Sequence, residues 1–515
     1  MFAFYIIAAP LLGVLLFSLL LLVRSKQRSL KFLRGPPNTS ILLGNEYDML
    51  HEPTVGSKIL QWMREYGSTF RIKTIFNEDT LIVTDPKALQ YILHKSSYHF
   101  PKAPDMEFTF TRLFGEGVLS VQGTQHQRQR KILNPAFSTA QIKPFDGIFQ
   151  SVTNFLVGQW REQLATGNDV IDTTQWFTKL TLDALGRAVF DYEFGALETK
   201  DTLLGGMVKN LFVDSVMPSK FQYLWNRLRS YYLPDRIKAL GSALYPTKED
   251  IRLKAWNDIS KAEAEKLYRN KLQGDSADAN DVLGVIARSL DAHDPGRKMD
   301  TAEALSQMST IILAGHDTTG NTLSWLFYEL AKHPADQERL YQEIKHVREQ
   351  KGEELTANDF DSMPFLHAVI KEALRIHPVV ARLIREAEQD DVIPLAHPII
   401  SASGEMISEV PVAKGQRIWV SIIGYNYLKE VWGEDADEWN PDRHLGVKRP
   451  TTLGVYGNLV HELQVITALL VESFQFSMPP GVDIDMYAAS AFTSPVVKGK
   501  VKEGVQMPVK VKLRE

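Results

Sequence analysis

Ala314-Gly315-His316-Asp317-Thr318-Thr319-Gly320 sets a carboxylic acid beside a hydroxyl in the middle of a strongly periodic segment. Asp317 and Thr318 are residue types suited to relaying protons: an acid that can release one, and a hydroxyl that both donates and accepts. Glu372-x-x-Arg375 places opposite charges at i, i+3, facing each other on a helix. Glu249 and Arg252 repeat that spacing, and most such pairs are solvated surface contacts. The Glu372 pair differs in its company, because Trp439-Asn440-Pro441-Asp442-Arg443-His444 supplies a second arginine after a turn-forming Asn-Pro. One residue type is missing altogether. The 515 residues contain no cysteine, which excludes disulfides, cysteine zinc sites, iron–sulfur clusters and thiol nucleophiles.

These side chains need elements to hold them. Asp300-Thr301-Ala302-Glu303 has the form of a capping box, and helical periodicity then runs to Lys332, where Pro334 stops it. Such a helix would extend about 48 Å at 1.5 Å per residue. Its centre is poor helix-forming sequence, since Gly315 costs about 1 kcal/mol against alanine and Asp, Thr and Thr compete for backbone bonds. Two readings stand at this point. Ala314 and Gly315 let a flat ligand approach the backbone while a threonine hydroxyl opens the helix, or the small residues pack a kinked core helix on a neighbour. Glu372 and Arg375 fall on an amphipathic helix from Phe365 that ends at His377-Pro378. Upstream, residues 70–75 and 81–83 alternate or run apolar about the turn Asn77-Glu78-Asp79, which predicts a β-hairpin. From Asp85-Pro86 to about residue 380 the pattern is mostly helical, with a short helix at 282–290 inside a loop-like stretch. Strand-like runs return at 417–420 and in the tail around Val501, Val505, Val509 and Val511. The fold class is mainly α with small β-sheets, without internal repeats.

Composition bounds the partners. Hydrophobic residues at 44% and charged residues at 23% describe an ordinary folded body. A net charge of −4 and a pI near 6.4 carry no electrostatic footprint for nucleic acid. Residues 1–23 have no charge and as a helix would extend about 35 Å, enough for a bilayer core of about 30 Å. Arg24, Lys26, Arg28, Lys31 and Arg34 follow directly. This pattern predicts a single transmembrane helix over 1–23 with the body on the cytosolic side. Residues 24–44 form a basic linker stiffened by Gly35-Pro36-Pro37, and 45–515 form the body.

Read in order, Ala314-Gly315-x-Asp317-Thr318-Thr319, Glu372-x-x-Arg375 and Pro441-x-Arg443 resemble the cytochrome P-450 superfamily of haem-thiolate monooxygenases, in particular its membrane-anchored microsomal type. The resemblance covers essentially the whole chain. It implies a P-450-like fold in which Glu372, Arg375 and Arg443 form a buried charge network and Asp317 and Thr318 deliver protons. It also implies haem contacts from Ala314 and Gly315, and propionate contacts from His126, Arg130 and Arg385. His126-x-x-x-Arg130 departs from the family's Trp-x-x-x-Arg, and a histidine N–H can replace the indole donor. The implied partners are a hydrophobic small-molecule substrate, a membrane and an NADPH-dependent flavoprotein reductase, in the endoplasmic reticulum membrane.

The family's glycine-rich loop, whose cysteine thiolate binds the haem iron, has no counterpart here. Gly454-Val455-Tyr456-Gly457-Asn458-Leu459-Val460-His461-Glu462 passes from the run-up straight into the following helix, so the loop and that helix's first turns are deleted. Thiolate donation favours O–O cleavage, so the metal ligand is missing and monooxygenase activity is not expected of this chain. Three functions follow: a monooxygenase gene whose product here lacks the loop, a non-catalytic relative that binds a hydrophobic small molecule or a partner at the membrane, and a haem protein ligated by His461.

Overall fold

The computed structural model describes residues 23–514 apart from 25, 53, 199–210, 212–217, 274–281, 353, 447–459, 490 and 491. The expectation of a single-pass anchor is corrected: among the described residues no helix is long and apolar enough to cross a membrane. Residues 1–22, on which that expectation rested, lie outside the described residues. The membrane partner and the endoplasmic reticulum location drew on the same segment and are withdrawn with it. The chain divides into two compact units.

The first unit gathers the chain up to Met106, the segment Met217–Pro234 and Arg382–Val431. Its sheet runs Thr69–Lys73, Asp79–Val83, Arg417–Ser421, Arg382–Glu386. The two middle strands pair in parallel and are buried at every residue, as expected of strands covered on both faces. Thr69–Lys73 joins Asp79–Val83 as the expected antiparallel hairpin, with Phe76 (φ 56°) and Asn77 (φ 63°) left-handed in the turn. Asp85 then caps the helix Pro86–Gln90 by accepting from the Lys87 and Ala88 amides. The aromatic segment around residue 225 is tied down by its hydroxyls: Tyr223 donates to Glu46 at 2.8 Å and Tyr231 to Glu386 at 2.6 Å. Arg417 grips Asp105 with two bonds of 2.8 Å, and Arg227 pairs with the same carboxylate.

The second unit is helical, and its axis is Thr301–Lys332. The capping box is made as the sequence suggests, the Asp300 side chain accepting from Glu303 N and the Glu303 side chain accepting from Asp300 N. The helix continues without a break through the Gly-Asp-Thr-Thr segment. The hydroxyls of Thr318 and Thr319 bond back to the carbonyls of Ala314 (2.7 Å) and Gly315 (2.8 Å) without opening it. Thr173–Phe190 packs along it through its glycines: a Cβ on Gly320 would lie 3.1 Å from the Thr178 amide nitrogen, and one on Gly315 would lie 2.7 Å from Leu185 Cδ1. Pro364–Ile376 carries the Glu–Arg pair. Val460–Ser473 resumes the chain after the deletion and is buried along most of its length. Of the tail valines, Val509 and Val511 sit in the strand Pro508–Leu513, whereas Val501 lies in a 3-10 turn.

Candidate active site

Within the buried stretch from Ser306 to Phe327, Ala314, Asp317 and Thr318 are only half-buried, and their i, i+3, i+4 spacing puts them on one face. The face is the helix's open side, opposite in character to the side where Gly315 meets Leu185. Asp317 has no ion pair among the described residues, and burial pushes its carboxyl up to about 7. A carboxyl held there can both accept and release a proton near neutral pH. Thr318, donating to Ala314 O, keeps its lone pairs available on the same face. His316 points into the core instead, fully buried, with burial pulling its imidazole down to about 4.

The Glu–Arg pair forms the centre of a larger constellation. Glu372 is fully buried and accepts from Arg375 Nε (2.9 Å) and Nη2 (2.8 Å), Arg443 Nε (2.9 Å), His444 Nε2 (2.9 Å) and the Asn440 amide (2.9 Å). Burial alone would raise its pKa, but the bonds from Arg375 and His444 prevail and hold the carboxyl at about 2. Arg443 completes the cluster through Asp435 (2.9 Å) and the Trp432 carbonyl (2.8 Å), and Arg375 through the Ala436 and Glu438 carbonyls. Spacing pairs only Glu372 with Arg375; Arg443 was added through the family resemblance, and Asp435 and His444, far from Glu372 in sequence, were not anticipated.

His126 and Arg130 lie on the helix Gly123–Leu133, His126 half-buried and Arg130 exposed. That helix is fixed to the long one by Glu303, whose carboxylate accepts from Gln125 (3.1 Å), Gln129 (3.2 Å) and Arg128, and by Gln307, which donates to Gln129 at 2.8 Å. Glu303 therefore acts twice, as capping-box partner and as anchor for the neighbouring helix, a second role that no local pattern signals. In the other unit Arg385 pairs with Ile418 across the sheet edge. Its guanidinium bonds only to the Ile384 carbonyl at 3.4 Å, and burial pulls it down to about 10.

Arg385 by itself has the chemistry to pair with a haem propionate: it is a desolvated guanidinium with no carboxylate partner among the described residues. The iron side does not fit. No thiolate exists in the chain, and His461 is packed edge-on to Phe149 and Phe360, its Nδ1 bonded to Gln464 Oε1 at 3.2 Å and its buried Nε2 3.2 Å from Asp146 but without a hydrogen bond. Beside it Glu462, buried and with Oε1 unbonded, is pushed up to about 8 by burial.

Comparison with known proteins gives the same assignment. The family model for cytochrome P450 matches residues 34–453, stopping just before the junction. Cytochrome P450 monooxygenase 128 of Postia placenta is 29% identical over 94% of this chain and 92% of its own length. Ganoderic acid synthetase of Ganoderma lucidum is 30% identical over 86% and 87%, and the monooxygenase claQ of Ampulloclitocybe clavipes 27% identical over 93% and 92%. Lacking the axial cysteine that the family's oxidoreductase chemistry requires, the protein is catalytically impaired, yet by sequence, by charge network and by matched length the chain belongs to the cytochrome P450 family.

Proposed function

We propose that the chain binds a hydrophobic small molecule against the face formed by Ala314, Asp317 and Thr318 and does not oxidise it. The observation that carries this reading is that face itself: an acid with no ion pair among the described residues and a hydroxyl, both half-buried within the buried middle of the helix. Asp317 and Thr318 then bind and orient the ligand's polar group, with Asp317 able to hold or give a proton at its carboxyl oxygen. Haem, if bound, would find in Arg385 a guanidinium able to pair with a propionate, and it supplies oxygen activation only with the thiolate this chain lacks. The flavoprotein reductase that serves the family has, on this reading, no turnover to support. Ganoderic acid, named for the Ganoderma relative, is a rational first probe. Thermal denaturation of the purified chain with and without it tests the reading. A saturable rise in melting temperature that Thr318→Val or Asp317→Leu abolishes supports it; equal responses in all three proteins overturn it.

A second reading concerns the gene. The family match ends at 453, while the helix Val460–Ser473 is packed as an integral part of its unit. A full-length product with the ligand loop would be a working monooxygenase, and the present chain a splicing or gene-prediction variant of it. Sequencing the transcript across the codons for Asn458 to Glu462 decides this: a sole, abundant message with this junction refutes it.

A further inference from the structure

A cleft beside the helix Pro104–Phe114 carries a charge opposite to that of the chain as a whole. Arg112, Gly115, Lys254, Asn257, Asp258 and Lys261 line a cavity of 280 Å³. Three of these side chains are cations and one is an anion, in a protein of net charge −4. Arg112 is balanced by the buried Asp250. Lys254 lies 2.6 Å from Asp258, but both are exposed, and a solvated pair of this kind is readily exchanged. Lys261 is half-buried and has neither an ion pair nor a side-chain hydrogen bond among the described residues. Its ammonium rests against Gly115, 2.7 Å from where a Cβ would stand, and Gly115 itself has φ +79°. The space a Cβ would take is shared by the ammonium and by Ser306 Oγ, 2.5 Å from the same point.

Lys254, Asn257, Asp258 and Lys261 follow one another at i, i+3, i+4 and i+7, so one face of the helix Lys248–Gln273 presents two ammonium groups and an amide to the cleft. Thr111 adds a hydroxyl from the opposite wall. Donors converging from two helices around an unbalanced cation match a small tetrahedral oxyanion, which accepts several charge-assisted hydrogen bonds at once. We propose that this cleft binds a phosphate monoester dianion, with Lys261 as the central contact, Lys254 and Asn257 beside it, and Lys254 exchanging Asp258 for the ligand. The competing role for Lys261 is to offset the carboxyl-terminal end of the helix Pro104–Phe114, which needs no ligand.

Titration calorimetry of the full chain with inorganic phosphate, at ionic strength held constant with chloride, separates the two. The expected result is saturable binding at one site, weakened at least about 10-fold by Lys261→Met and retained by Lys261→Arg. Lys254→Met, at an exposed position, is expected to weaken binding about 3-fold with the fold intact, and it carries the test should Lys261→Met fail to fold. Glycerol 3-phosphate and vesicles of phosphatidylcholine containing phosphatidate distinguish a free monoester from a phospholipid headgroup. A response that does not saturate, or phosphate affinity unchanged in folded Lys261→Met, overturns the proposal and leaves the lysine as a helix-end contact.

Discussion

Glu372→Gln removes one charge from the centre of the Glu372–Arg375–Arg443–His444 cluster and leaves its shape intact. Arg375 and Arg443, 1% and 7% exposed, then lose the carboxylate charge between them, while their bonds to backbone carbonyls and, for Arg443, to Asp435 remain. Breaking a buried ion pair from one side costs about 3–5 kcal/mol. Proton linkage gives a similar figure. The carboxyl titrates at about 2 in the folded chain against 4.5 ordinarily, which corresponds to about 3 kcal/mol at neutral pH. Because the folded value is the lower one, the unfolded chain binds more protons between these limits. The contribution is fully present above about pH 4.5 and is lost as pH falls toward 2. Urea unfolding followed by tryptophan fluorescence suits the test, since Arg375 lies 5.4 Å from the Trp432 ring. At pH 7 the substitution should cost about 3 kcal/mol, and between pH 5 and 3 the variant should lose about 2 kcal/mol less stability than the parent. A cost below about 0.5 kcal/mol, or parallel pH profiles, would refute the view that this network is the buried framework of the unit.

Asp317→Asn should stabilise the chain by about 1–2 kcal/mol at pH 8 and have no effect near pH 3, because a carboxyl raised to about 7 makes the folded state lose stability as pH climbs from 3.8 through 7; the estimate is discounted for its half-exposed position. Infrared spectroscopy at pH 6 should show its protonated C=O stretch, absent in the variant. His461→Ala should cost about 1–3 kcal/mol through loss of its contacts with Asp146, Gln464 and Phe149 and leave any haem absorbance unchanged; a spectral change would revive iron ligation at this residue. Gly320→Ala should destabilise by about 1–3 kcal/mol because its Cβ meets backbone of the neighbouring helix, whereas Gly315→Ala meets only the mobile end of Leu185 and should cost less, as thermal unfolding would show.

Much of the fold was legible because its signals are local. The Asp300 capping box, the Asp85-Pro86 helix start and the turn at Asn77 each depend on a few adjacent residues whose side chains bond to nearby backbone. The hairpin Asp391–Ile400 with Met406–Val412 was not, since its first strand carries two prolines and its register shifts between Pro394 and Ile399. At the site, the Glu372–Arg375 pair was visible through spacing, and Arg443 entered through the family resemblance. Asp435 and His444 join it only after the chain folds back, and that closure depends on tertiary packing. Gly315 shows the limit most clearly. A glycine in mid-helix announces a close approach and does not say to what, and the Cβ direction is taken by Leu185. The anchor misled for a different reason: apolar length and flanking charge describe a candidate span, and no described helix meets that description.

The account holds that one lesion, the missing ligand loop, separates a sound P450 framework from thiolate-bound haem. The most direct test is the CO difference spectrum of the reduced protein, recorded for this chain and for a version carrying the ligand loop of the Postia placenta monooxygenase between Asn458 and Glu462. The prediction is no thiolate-type Soret band in the first and its appearance in the second. A thiolate-type band from the present chain, or none from a folded, haem-loaded graft, would contradict it.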